Sequence, residues 1–69
     1  MDTKNLIHMA NQIGSFFEAM PDKAQAAQDV ANHLKKFWEP RMRKALLAEV
    51  QMNGTGDLSP IVVESLRLL

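Results

Sequence analysis

The sequence predicts an all-α fold, a small bundle of three to four short helices that forms a single helical domain over residues 1–69. Apolar residues recur at spacings of three and four along most of the chain, which is the period of an amphipathic helix. Prolines and a short glycine-containing run interrupt this pattern where helices are expected to end. The chain contains no cysteine, so neither a disulfide nor a thiolate metal site can stabilise it.

The first two predicted helices cover residues 3–20 and 23–38. On the first helix, spacings of four and three residues place one apolar stripe along a face, formed by Leu6, Ala10, Ile13, Phe17 and Met20. Pro21 ends this helix, and the Asp22 side chain is suited to cap the next one. The second helix has its own apolar face, formed by Ala27, Val30, Ala31, Leu34, Phe37 and Trp38.

The third helix is predicted to run from Pro40 to residue 52 or 53, and the fourth to begin with Pro60 in its first turn. Proline is favoured there because the backbone N–H that it lacks would have no helical partner. Gly54 is expected to end the third helix in a left-handed conformation. Ser59 is expected to cap the fourth helix.

The segment of residues 35–44 combines the only tryptophan, a proline and five of the eight basic residues. It carries a net charge of +4, while the residues before it and after it each sum to −2, so that the whole chain is neutral. A neutral chain gains little general attraction to nucleic acid, but a cationic corner suits an acidic surface. Tryptophan and arginine are also enriched in interface hot spots. Three interpretations stay open: a solvated rim, docking on an acidic protein surface, and phosphate or nucleic-acid binding.

No set of side chains in the sequence indicates catalysis or metal binding. His8 and His33 have no further ligands at a fixed spacing, so a solvated or structural histidine is the expected role of each. The glycines at 54 and 56 do not belong to a strand–helix unit that cradles phosphate, and we interpret them as a turn. We therefore expect no catalytic, cofactor-binding or metal-binding residue, no bound cofactor and no enzyme activity in this chain.

A chain of this length leaves much of its apolar surface uncovered. A domain of this size buries only about 60% of the surface that its unfolded form exposes. We therefore expect a partner protein to complete the core, and exposed apolar residues allow a homo-oligomer when the chain is isolated. The sequence begins without a basic region followed by an apolar core, and no apolar run is long enough to span a membrane. These features lead us to expect a cytoplasmic protein without membrane contact.

Five blocks of the sequence together resemble the delta-subunit family of NAD-dependent formate dehydrogenases. The blocks are residues 9–14, 16–17, 33–34, 37–43 and 58–62, and they span nearly the whole chain. The most specific block is Phe37-Trp38-Glu39-Pro40-Arg41-Met42-Arg43. The resemblance implies a multi-subunit, oxygen-tolerant enzyme that oxidises formate to carbon dioxide and reduces NAD. In such enzymes a large subunit carries a molybdenum or tungsten pterin cofactor and iron–sulfur clusters, and other subunits carry FMN and further clusters.

The resemblance further implies a non-catalytic accessory subunit without a cofactor of its own, which docks on the catalytic subunit and aids assembly or stability. We expect the Phe37-Trp38 pair to anchor in an apolar pocket and the two arginines of the corner to pair with carboxylates. The full set of expected partner contacts is Phe37, Trp38, Pro40, Arg41, Met42, Arg43, Asn11 and Gln12. The two amides either hydrogen-bond a partner backbone or are simply exposed. Two alternatives remain: a transient assembly chaperone for the cofactor-bearing subunit, and a small nucleic-acid-binding helical protein.

Overall fold

Four α-helices follow one another in the computed structural model, which describes residues 2–69. They are α1 (Thr3–Phe17), α2 (Lys23–Phe37), α3 (Pro40–Asn53) and α4 (Pro60–Leu66). The all-α prediction is confirmed. Helix α2 packs against α4 and α1, and α1 also contacts α3 and α4. Within the described residues, none of the helices combines the length and the hydropathy that crossing a bilayer requires.

Side-chain carboxylates cap the first two helices. Asp2 accepts a hydrogen bond from the Lys4 N–H at 3.0 Å. Asp22 accepts from the Gln25 N–H at 3.1 Å, which confirms the predicted cap of α2. Helices α3 and α4 begin with a proline instead, as expected. Ser59 occupies the N-cap position of α4, as predicted, but its side chain makes no capping hydrogen bond.

Helix α1 ends at Phe17, three residues before the predicted end at Met20. Pro21 explains the difference, because its ring would clash with the carbonyl four residues earlier and it disfavours helical geometry at the residue before it. The chain instead forms a turn in which the Met20 N–H donates to the Phe17 carbonyl at 3.1 Å.

Gly54 ends helix α3 with a backbone conformation that other residues avoid. Its φ of 81° is positive, as predicted, but its ψ of −172° lies outside the left-handed helical region that we expected. This region of backbone space is essentially restricted to glycine. The Gly54 N–H donates to the Val50 carbonyl at 2.8 Å, which closes the last turn of the helix.

One cluster of buried apolar side chains lies between the helices. Its members are Leu6, Ala10, Val30, Leu34, Trp38, Leu46, Leu58 and Val62. Helix α3 contributes a single buried residue, Leu46. The same helix carries Met52, whose exposed fraction of 82% is the highest among the large apolar residues that the structure describes. The core therefore depends mainly on α1, α2 and α4.

Gly14 allows α1 and α4 to approach each other closely. A Cβ atom added at this glycine would lie 2.8 Å from the Cγ2 atoms of both Ile61 and Val62, and 3.2 Å from the Ser59 Oγ. Real Cβ contacts are longer than the first two distances, so a side chain here would push the helices apart. The Ser59 Oγ is buried in this contact and has no hydrogen-bond partner among the described residues.

We predict that Gly14→Ala lowers the free energy of unfolding by about 1–2 kcal/mol. Overpacking of a core contact typically costs roughly 1–3 kcal/mol, and the higher helix propensity of alanine offsets part of that. Urea unfolding followed by circular dichroism measures the change. Gly56→Ala is the matched control, because nothing lies within 4 Å of a Cβ at that position. Equal stability of the two variants would contradict close packing at Gly14.

Candidate partner-binding groove

The corner between α2 and α3 is formed by a proline and the two residues before it. Trp38 and Glu39 have extended backbones, with ψ of 140° and 149°. Pro40 disfavours helical geometry at Glu39, so α2 ends at Phe37 rather than at the predicted residue 38. Pro40 itself begins α3 and is exposed.

The two adjacent aromatic residues of the corner point in different directions. Trp38 is only 6% exposed and belongs to the buried core. The Phe37 side chain is 66% exposed. Met42, one turn into α3, is partly buried and packs against the same core. Of the aromatic pair that we expected to anchor in a partner, Phe37 is therefore the residue that lies at the surface of the isolated chain.

The two arginines of the corner also differ in their surroundings. The Arg43 Nη1 lies 3.0 Å from the Leu34 carbonyl oxygen and 3.2 Å from that of Lys35, and it also donates to the Trp38 carbonyl. Arg43 thus caps the C-terminus of α2, where cations and donors are favoured. Arg41 is exposed, and its guanidinium lies 3.4 Å from the Glu39 carboxylate.

The two side-chain amides that were expected to contact a partner backbone, Asn11 and Gln12, also differ in their surroundings. The Asn11 Nδ2 donates to the Asp57 carbonyl at 2.9 Å, and the Asn11 Oδ1 accepts from the Ser59 N–H at 2.9 Å. Both polar atoms of Asn11 therefore hold the loop before α4 against α1. Gln12, the next residue, is exposed.

An apolar groove with a volume of about 590 Å³ lies beside the corner. We call it the aromatic groove, and its lining residues are Met9, Gln12, Ile13, Phe16, Phe17, His33, Phe37, Trp38 and Met42. It brings together four of the eight residues that the sequence suggested as partner contacts. The other four are Pro40, Arg41, Arg43 and Asn11, which are not among its lining residues.

Four rings form a continuous row in this groove. The centroids of Phe16 and Phe17 lie 5.1 Å apart, those of Phe17 and His33 lie 6.4 Å apart, and those of His33 and Phe37 lie 4.7 Å apart. The first two pairs are edge-to-face, an arrangement that aromatic rings prefer. The row begins and ends with the exposed rings, since Phe16 is 77% exposed.

The eight residues expected to contact a partner do not include Phe16, Phe17 and His33, although the sequence placed the two phenylalanines in the core or on a second contact surface. One signal was present, because His33 and Phe37 are four residues apart and therefore neighbours on a helix. The pairing of Phe17 with His33 joins two helices, and no spacing along the chain predicts it.

Other chemistry is sparse in this part of the molecule. Among residues 2–69, no group of three or more His, Asp or Glu side chains is placed to hold a metal ion. A positive charge lies beside the groove, since the Lys36 ammonium is 5.6 Å from the centroid of the Phe37 ring. The arrangement can therefore bind apolar groups, with cations beside them.

We predict that Arg43→Met lowers the free energy of unfolding by about 1–3 kcal/mol, because it leaves carbonyl groups at the end of α2 without their donor. Methionine keeps most of the apolar stem, so the change isolates the guanidinium. The matched control is Arg41→Met, which removes an exposed ion pair and should change stability by less than about 1 kcal/mol. Thermal unfolding of both variants compares the two effects, and equal losses would argue against the capping role.

A second pair of variants tests the clamp formed by Asn11. Asn11→Asp keeps the shape but replaces the donor to the Asp57 carbonyl with an acceptor, so we expect a loss of about 1–3 kcal/mol at neutral pH. Gln12→Glu makes the same chemical change at the neighbouring exposed position and should be nearly neutral. Chemical unfolding at pH 7 measures both, and a stable Asn11→Asp protein would contradict the clamp.

Comparison with known proteins identifies the family. The family model described as NADH-dependent formate dehydrogenase delta subunit FdsD matches residues 5–66. No curated protein and no solved structure gives a significant match. The matched residues include all four helices almost completely, together with the corner and the aromatic groove. The chain therefore belongs to the delta-subunit family of NADH-dependent formate dehydrogenases.

Proposed function

We propose that the chain is a non-catalytic accessory subunit that docks on the catalytic subunit of formate dehydrogenase through the aromatic groove and supports assembly or stability of the complex. Membership in the delta-subunit family supports association with such an enzyme. The groove supports the docking surface, because it combines a volume of about 590 Å³ with a mainly apolar lining. The cytoplasm is the proposed location, since the enzyme works with NADH.

The observation that carries this proposal is the exposure of two phenylalanine rings beside an apolar groove. Phe16 and Phe37 expose 77% and 66% of their surface in the isolated chain. Burial of apolar side chains stabilises a complex by roughly 1.5–3 kcal/mol per fully buried phenylalanine. Large exposed apolar patches on small proteins commonly mark protein–protein interfaces.

The residues expected to contact the partner then have different roles in docking. Trp38 forms one wall of the groove from inside the core, so it holds the groove in shape while Phe37 meets the partner. Arg41 and Gln12 are exposed and available for polar contacts at the edge, whereas Asn11 and Arg43 are engaged within the chain. Trp38→Ala would damage the fold itself, because such core truncations cost about 3–5 kcal/mol.

We predict that Phe37→Ala and Phe16→Ala each weaken binding to the complex by about 2 kcal/mol, or roughly thirtyfold in Kd, as truncation of an interface hot spot does. The binding partner in this measurement is formate dehydrogenase purified without its delta chain. The variants should fold normally, because neither ring belongs to the buried core.

Met52→Ala is the matched control, since Met52 is a large apolar residue that is 82% exposed and does not line the groove. Its binding should equal that of the unchanged chain. Equal Kd values for the control and both phenylalanine variants would refute docking through the groove. Subunit counting in the active, purified enzyme separates two roles: a near-equal ratio supports a permanent subunit, and absence of the chain supports a transient chaperone.

A further inference from the structure

We propose that the occupant of the aromatic groove is an amphipathic helix of the partner that carries acidic residues beside its apolar face. This inference rests on the proposed docking function and names the kind of element that docks. It is carried by two observations: the groove offers no free backbone N–H group, and the charge beside it is positive.

The backbone N–H groups around the groove are already hydrogen-bonded. Eight of the nine lining residues lie in helices; seven of them lie beyond the first turn, and the Met42 N–H donates to the Glu39 carbonyl at 2.9 Å, so the N–H groups of all eight are paired. Trp38 is the exception, but its N–H donates to the Leu34 carbonyl at 3.1 Å and its carbonyl accepts from Arg43. An extended segment would bring carbonyl groups that find no free backbone donor in this apolar wall, and burying such groups unpaired is costly. A helix satisfies its own backbone, so helix-in-groove docking fits.

The charge beside the groove selects an acidic partner. The Lys36 ammonium lies 5.6 Å from the centroid of the exposed Phe37 ring, and Lys35 is also exposed in the last turn of α2. No acidic residue lines the groove. The second apolar concavity, between α1, α2 and α4, differs because it is lined by Glu18, Lys23 and Glu64 and has no net cationic character.

A second copy of this chain fits the groove poorly. In a symmetric dimer both copies contribute the same surface, so the Lys35 and Lys36 pairs would bring four like charges to one contact with no acidic residue lining the groove to pair with them. A nucleic acid also fits poorly, because its affinity rests on many phosphate contacts and the charged residues of the chain cancel to zero. An acidic helix avoids both conflicts.

The test measures association rates of the full-length chain with formate dehydrogenase purified without its delta chain. Lys35→Glu/Lys36→Glu should slow association about tenfold at low salt, because charges at an interface rim act mainly on the encounter rate. The difference should vanish near 1 M salt, where electrostatic interactions are screened within about 3 Å. Lys4→Glu, at the start of α1, is the control and should leave the rate unchanged. Unfolding curves of each variant verify that the fold is intact.

The outcomes separate this inference from the docking function. In one outcome, Phe37→Ala binds more weakly but the charge-reversed variant associates at a normal or faster rate. That result would support the docking site and overturn the acidic partner. Normal binding by Phe37→Ala would instead overturn the docking site itself.

A photo-reactive phenylalanine analogue at position 16 identifies the occupant in the assembled complex. Cross-links to partner residues spaced by three, four and seven, next to Asp or Glu, would support the acidic helix. Cross-links at alternate residues, to a second delta chain or to nucleic acid would each overturn it.

Discussion

Burial of Trp38 determines how the corner and the groove are arranged. The indole belongs to the buried core, and Pro40 forces an extended backbone just before α3 begins. With Trp38 fixed inside, the preceding Phe37 at the end of α2 lies at the surface. Arg43 then reaches back from α3 to the last carbonyls of α2. The same short run of residues therefore provides a piece of the core, a helix cap and an exposed ring.

The helices could be predicted from the sequence almost completely. The spacing of apolar residues predicted the four helical segments, and the prolines predicted the exact first residues of α3 and α4. The error at the end of α1 arose because apolar periodicity continued to Met20 while Pro21 stopped the helix earlier. Ser59 was correctly placed at the cap position of α4, but its buried Oγ lies beside Gly14 of α1 and makes no capping hydrogen bond, and such a tertiary contact has no signature in local sequence.

The candidate site could be predicted only in part. The sequence indicated the corner between α2 and α3 as a partner-binding site. It did not indicate which of Phe37 and Trp38 is buried, since both fall near the apolar face of α2. Asn11 and Arg43 were interpreted as partner contacts, yet each finds its hydrogen bonds within the chain at positions that only the tertiary arrangement brings together. Phe16 joins the site because α1 and α2 place their rings in one row.

The position of Trp38 has a spectroscopic consequence. It is the only tryptophan, and the chain contains no tyrosine, so ultraviolet emission of the isolated protein comes almost entirely from one indole. That indole forms a wall of the aromatic groove. Any molecule that fills the groove changes the polarity around this fluorophore, which makes the unlabelled chain its own optical reporter of occupancy whenever the added molecule contains no tryptophan.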